Sequence, residues 1–207
     1  MKKLDRQKPP AFWSDRICQW VDLWAQGEPA GNKLHDWQTE GLTLARWFHE
    51  TVRPLGEGHY CAYCDGLLGA QSPETIDHWV PQEKCRALAL WWGNLFPACV
   101  GCQQSKGTHW SIGWLRPDVD NVEELIVCNF EGKLEPAYGL DNNLTGRIQD
   151  TINGLGLNRR GLVEERRRIL MDLTRLYQKG VLSTDEIAEQ LAQGSYRFLL
   201  ATVGAAG

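Results

Sequence analysis

The chain has 207 residues, 43% of them apolar and 23% charged, a balance that buries a core and excludes global disorder. No run approaches the ~18 consecutive apolar residues of a membrane span, and the charged start Met1-Lys2-Lys3-Leu4-Asp5 leads into no apolar stretch, so a cytoplasmic protein without membrane association is expected. A formal charge of −4 excludes a chain that coats nucleic acid by bulk electrostatics, while leaving room for a local basic patch.

Residues 1–56 read as a helical region. Ser14 is a candidate N-cap for a helix with Ile17, Trp20, Val21 and Trp24 at i, i+3, i+4 and i+7, ended by Gly27 and Pro29. A second helix is expected to carry Trp37, Leu44, Ala45, Phe48 and Val52 on one face and to stop before Pro54. Both are read as scaffold. The ten tryptophans, spread from Trp13 to Trp114, are expected mainly in the core.

Helical periodicity is lost from about residue 58, and cysteines begin to pair. Cys61-Ala-Tyr-Cys64 and Cys99-Val-Gly-Cys102 are two C-x-x-C turns. A two-residue gap lets two thiolates grip one ion, and two such turns complete a tetrahedral S₄ site, so a structural Zn²⁺ on Cys61, Cys64, Cys99 and Cys102 is expected. Four thiolates leave no open position, so such a zinc holds the fold and activates no water. Chemistry then falls to the 34 residues between the turns and to the helix after the second. Those stretches contain Asp77-His78-Trp79-Val80-Pro81, Asn94-Leu95-Phe96-Pro97 and Gln103-Gln104-Ser105-Lys106-Gly107. Cys18, Cys85 and Cys128 have no partner spacing and are expected to be small buried hydrophobes. His35, His49 and His59 belong to no constellation and receive no role.

Beyond this module, residues 111–207 are expected to form a short hairpin and a C-terminal helical region. Leu125 to Phe130 reads as a strand, Glu131-Gly132 as a turn into a second short strand ending before Pro136. Asn158 and Ser183 are candidate N-caps, the latter in a capping box with Glu186, and Gly180 closes the helix between them. Between Arg147 and Lys179 eight basic residues face four acidic ones, which fits either a solvated helix face or a phosphate-facing strip.

The ordered pattern C-x-x-C, Asp-His-x-x-Pro, Asn-Leu-x-x-x-Cys-x-x-Cys-x-x-x-Lys-Gly resembles that of zinc-stabilised HNH endonucleases over about a quarter of the chain. The resemblance implies an α+β protein in which an HNH ββα-metal module, residues 57–110, is embedded between N-terminal and C-terminal helices. It implies hydrolysis of DNA phosphodiesters, with His78 as general base, Asp77 as a ligand of a catalytic Mg²⁺ or Mn²⁺, and Asn94 bracing the loop that positions the histidine. The second metal ligand of the family, His or Asn, is replaced here by Gln103, which keeps an amide oxygen one methylene further out. Lys106, one helical turn on, is the candidate phosphate contact. Arg86-Ala-Leu-Ala-Leu-Trp-Trp-Gly-Asn-Leu95 and Ile148-Gln-Asp-Thr-Ile-Asn-Gly-Leu-Gly-Leu-Asn-Arg159 are similar to the HNH proteins of Septu-type and retron-associated antiphage systems. That similarity implies an ABC/SMC-like ATPase partner. The departure at Gln103 keeps a second reading open, a weak or inactive HNH zinc module used for DNA binding or scaffolding.

Overall fold

The computed structural model describes residues 1–207 except 5, 7, 28–32, 40, 52–59, 70–72 and 200–207. The first helix, α1 (Ala11–Ala25), starts three residues before Ser14. Trp13 N donates to Pro10 O at 2.9 Å, so the first turn closes on Pro10, and Ser14 lies inside the helix. Its buried face is Trp13 and Trp20, whereas Val21 and Trp24, expected on that face, are exposed. The two buried indoles donate to Leu90 O at 2.8 Å and Arg86 O at 3.2 Å, which fastens α1 to the 79–94 connection described below.

The expected second helix is broken in two. α2 (Lys33–Asp36) is followed by a tight hairpin of β1 (Gln38–Thr39) and β2 (Leu42–Thr43), and only then by α3 (Leu44–Thr51). Gly41, at φ 79°, takes the left-handed turn that stops the helix from running through. Leu44, Ala45 and Phe48 are buried as expected. Pro29, Val52, Pro54 and His59 lie outside the described residues.

β3 (Glu74–His78) and β4 (Leu95–Cys99) pair antiparallel, with Asp77 opposite Phe96 and His78 opposite Leu95. Every β4 residue is buried. The 16 residues between the strands carry two 3-10 turns, Arg86–Leu88 and Trp92–Asn94. Asn94 therefore closes a turn rather than opening the strand. α4 (Val100–Lys106) follows β4 directly, its N-cap Cys99 accepting from Cys102 N at 3.4 Å.

After the short helix α5 (Val122–Leu125), β5 (Ile126–Cys128) pairs with β6 (Leu134–Pro136). The expected six-residue strand is thus half as long. Its start is a helical turn, and at its end the Asn129 side chain accepts from Glu131 N and Lys133 N, both at 3.0 Å, and folds the chain back. Gly132, at φ 82°, completes that turn, and Pro136 lies inside β6.

α6 (Asn142–Gly154) is capped by Asp141, which accepts from Asn143 N and Leu144 N. α7 (Arg160–Gln178) is capped at Arg159, not Asn158. The Asn158 side chain instead bonds both Leu134 N and Leu134 O at 2.8 Å, holding β6. Ser183 and Glu186 form the expected capping box of α8 (Thr184–Gln193), and Gly180, at φ 66°, ends α7. No helix among the described residues is long and apolar enough to cross a membrane.

Buried side chains from Met1 to Leu199 form one cluster. Trp13, Trp20, Trp79, Trp92 and Trp114 are core, while Trp24 and Trp91 are exposed. The basic run does not form a single face. Arg166 is fully buried, donating to Gly132 O and Leu157 O, while Arg160 and Arg168 pair with Glu164 and with Glu165 and Asp172 at the surface. Of the three cysteines outside the C-x-x-C turns, Cys128 is buried as expected, Cys85 is half-buried, and Cys18 is exposed on the outer side of α1.

Candidate functional site

The first cysteine turn is shaped by its own backbone. Cys61 N donates to Gly66 O and Asp65 N to Cys61 O, each at 2.9 Å, with Asp65 in the left-handed region at φ 60°. Ala62 N donates to Pro97 O at 2.8 Å and ties the turn to β4. From the far end of the chain, Arg197 grips the buried Asp65 carboxylate, its Nη2 at 2.5 Å and its backbone N at 2.7 Å, while Tyr196 N reaches Asp65 O at 2.8 Å. The second turn is carried by β4 and the first turn of α4.

Together the two turns bring Cys61, Cys64, Cys99 and Cys102 to one point, their Sγ atoms all within 4.8 Å of one another and Cys64 and Cys99 3.9 Å apart. A tetrahedral ion with Zn–S bonds of ~2.3 Å sets sulfurs ~3.8 Å apart, so the four cysteines fit a metal ion such as zinc. Among the described residues no other group of three or more His, Cys, Asp and Glu side chains converges in this way.

β3 ends at His78, and there Asp77 and His78 line the same cleft of about 380 Å³, together with Gln82, Glu83, Gln103 and Lys106. Neighbouring strand residues point to opposite faces; the end of the strand is what lets both serve one cleft. Asp77 is buried, accepting from Tyr63 Oη at 2.5 Å and paired with Lys106 Nζ at 3.0 Å, both on Oδ2. Burial lifts its carboxyl above the usual range against the pull of those two partners. Lys106 is itself buried, and its ammonium also donates to His78 O at 2.6 Å. The lysine is therefore committed internally rather than displayed as a surface cation.

His78 is held by the connection between the strands. Its Nε2 lies 2.9 Å from Ala89 O. A carbonyl only accepts, so Nε2 carries the proton and Nδ1 keeps the lone pair. Burial lowers the imidazole below its usual value, outweighing the Ala89 carbonyl and the Asp77 charge. Asn94 stands behind this loop, accepting from Val80 N at 2.7 Å and donating to Val80 O at 3.1 Å and Leu88 O at 3.0 Å. Gln103 donates its amide nitrogen to Ile76 O at 3.1 Å and also lines the cleft.

Three neighbours of the site carried no role in the sequence. Tyr63 was visible as an aromatic within the first turn, but its hydroxyl partner was not. The Gln82 amide nitrogen lies against the imidazole, 3.1 Å from His78 Nε2 and 3.3 Å from Nδ1, four residues on in a loop without periodicity. Arg159 reaches the cysteine cluster from α7, donating to Cys102 Sγ through Nη1 at 3.3 Å and Nη2 at 3.4 Å. A larger cleft of about 920 Å³ adjoins the site through His78, Gln82 and Gln103, and α3 lines its other side with Arg46, His49 and Glu50. His35 also lines it, and His49 lies 3.7 Å from Glu74.

No family model matches the chain. Over 50 residues, 24% of its length, it is 36% identical to the Septu protein PtuB of Bacillus thuringiensis. Those residues make up 20% of that protein, so the chain spans about a fifth of the length of the curated relative it matches.

Proposed function

We propose that the chain is a metal-dependent HNH endonuclease that hydrolyses DNA phosphodiester bonds in antiphage defence, with an ABC/SMC-like ATPase as partner. The observation that carries the chemistry is the His78 imidazole, oriented by Ala89 O in one cleft with Asp77 and Gln103, with burial lowering its pKa. The HNH-like order of the sequence and the similarity to a Septu protein support the family and the setting.

In this reading His78 Nδ1 takes the proton of the attacking water, and Ala89 O keeps the ring from turning as charge develops on it. Asn94 maintains the loop that presents Ala89 by holding Val80 and Leu88. Lys106 and Tyr63 fix the Asp77 carboxylate through one oxygen. One carboxylate and one amide oxygen suit a hydrated hard cation, which keeps most of its waters and leans on substrate phosphate. Asp77 and Gln103 would hold it. When bound, a Mg²⁺ or Mn²⁺ ion supplies charge neutralisation at the scissile phosphate. Cys61, Cys64, Cys99 and Cys102 would hold a structural zinc, which would tie the hairpin to α4 and, with four thiolate ligands, leave no position for water.

The test is DNA cleavage by purified protein, with and without the ATPase, in Mg²⁺ or Mn²⁺. His78→Ala is expected to lose about 10²–10⁴-fold in rate; cleavage unchanged in that variant would falsify the assignment. A second reading, a module that binds DNA or a partner without cutting, is favoured by one observation: the Lys106 ammonium already pairs with the Asp77 carboxylate, 3.0 Å from Oδ2. It predicts binding with no metal-dependent nicking under either condition.

A further inference from the structure

We infer that Arg159 is an outer-sphere partner of the four-cysteine metal centre, setting the charge and reactivity of its thiolates. The inference rests on reading Cys61, Cys64, Cys99 and Cys102 as a zinc site. Arg159 is the last residue of the run Leu155-Gly-Leu-Asn-Arg159, to which the nuclease reading gives no task.

Both terminal nitrogens of Arg159 converge on one sulfur, Cys102 Sγ, at 3.3 and 3.4 Å, and Nη2 also comes within 4.0 Å of Cys99 Sγ. The approach is built from two sides. On the Arg159 side, Nη1 also donates to Gly156 O at 3.2 Å, which orients the fork, and the neighbouring Asn158 anchors the segment on β6. On the cysteine side, position 101 between the two thiolates is glycine, and a Cβ there would stand 3.1 Å from Arg159 Nη2. Any larger residue in that turn would press on the guanidinium.

Four thiolates and one Zn²⁺ carry a net charge of −2, which is costly to bury. A permanently charged guanidinium at its edge reduces that to −1, and its N–H groups draw electron density from the sulfur lone pairs. Cys102 and Cys99 thereby become poorer nucleophiles toward alkylating agents and oxidants, and the metal leaves more slowly.

The experiment uses the full zinc-loaded chain. Elemental analysis of the wild type comes first; absence of zinc would refute the zinc reading by itself, before any variant is compared. Zinc transfer to a chromogenic chelator and N-ethylmaleimide labelling of each cysteine, mapped by mass spectrometry, are then followed in the wild type, Arg159→Gln, Arg159→Lys and Arg160→Gln. Arg159→Gln is expected to release zinc about 10–100-fold faster, with labelling gained first at Cys102. Arg159→Lys, which keeps the charge but not the fork, should fall between. Arg160→Gln, which removes the adjacent exposed cation paired with Glu164 and touches no sulfur, should stay near the wild-type rate. Rates within twofold of wild type in both Arg159 variants overturn the inference. So does equal acceleration in Arg160→Gln, which would mean that any loss of positive charge at the start of α7 exposes the centre.

Discussion

Lys106 Nζ lies 3.0 Å from Asp77 Oδ2, with both side chains buried, so the cleft is organised around an internal ion pair joining α4 to the end of β3. The same ammonium holds His78 O, which makes Lys106 the link between the carboxylate and the backbone of the candidate base.

Removing one partner leaves the other charged and without compensation in a desolvated place. Lys106→Met is expected to lower unfolding stability by about 3–5 kcal/mol. Urea denaturation of Lys106→Met, Asp77→Asn and the double variant checks this. The double variant should be less destabilised than the sum of the singles, and strict additivity would mean that the two side chains do not interact.

Asn94 makes three hydrogen bonds, all to the backbone of the 79–94 connection. Truncation to alanine orphans Val80 N and two carbonyls at once. A loss of about 2–3 kcal/mol is expected, accompanied by faster amide exchange at Val80. Cleavage should fall with it, since Ala89 then no longer holds the His78 ring in place.

If the four cysteines hold zinc, stripping it removes the bonds that join the two C-x-x-C turns through one ion and leaves packing and backbone contacts such as Ala62 N to Pro97 O. A chelator is expected to abolish the cooperative unfolding transition of the hairpin and α4, and Zn²⁺ should restore it. Circular dichroism with and without chelator reads the change. Mg²⁺ alone should not restore it, because a thiolate set does not suit a hard cation.

Asp118 supplies a pH signature away from the cysteines. It accepts from Arg6 Nε and Arg116 Nε, each at 2.7 Å. Burial acts to raise its carboxyl, but the hydrogen bonds and charges of Arg116 and Arg6 outweigh this and hold it below the usual carboxylate range. Burial also lowers the Arg6 guanidinium, yet in acid it is the carboxylate that titrates. A depressed carboxylate stabilises the fold fully above its unfolded pKa of ~3.9, and this contribution is lost as pH falls through the lower folded value. Asp118→Asn should cost about 2 kcal/mol at neutral pH and flatten the stability profile below pH ~4. The cluster matters to the site because Arg6 also holds Trp92 O and Leu95 O, and Arg116 holds Gly93 O, on either side of Asn94.

What the sequence made legible was local. Paired cysteines, an Asp-His at a strand end and a Ser-x-x-Glu box each carry their meaning within a few residues, and the structure brings the first two into neighbouring centres. What stayed hidden depended on distance or on competition. The hairpin between α2 and α3 was masked by apolar spacing that suits a helix, and only Gly41 hinted otherwise. Arg166 looked like part of a charged face because nothing in its own helix reveals the carbonyls of Gly132 and Leu157 that await it. Asn158 fits the N-cap preference, but two bonds to Leu134 outcompeted one to its own helix. The bond from Tyr63 to Asp77 spans a turn and a strand, and no pattern in one sequence announces it.

The contact between Asp65 and Arg197 joins positions 132 residues apart. A ribosome adding roughly 5–20 residues per second presents the first cysteine turn on the order of ten seconds before the arginine that locks it. During that interval both cysteine pairs have already been made, and the left-handed Asp65 must keep its place without its partner. The nascent chain can therefore bring its four cysteines together early, whereas the clamp on the first cysteine turn waits until residue 197 has been made. Order of synthesis, and not only stability, is written into this ion pair.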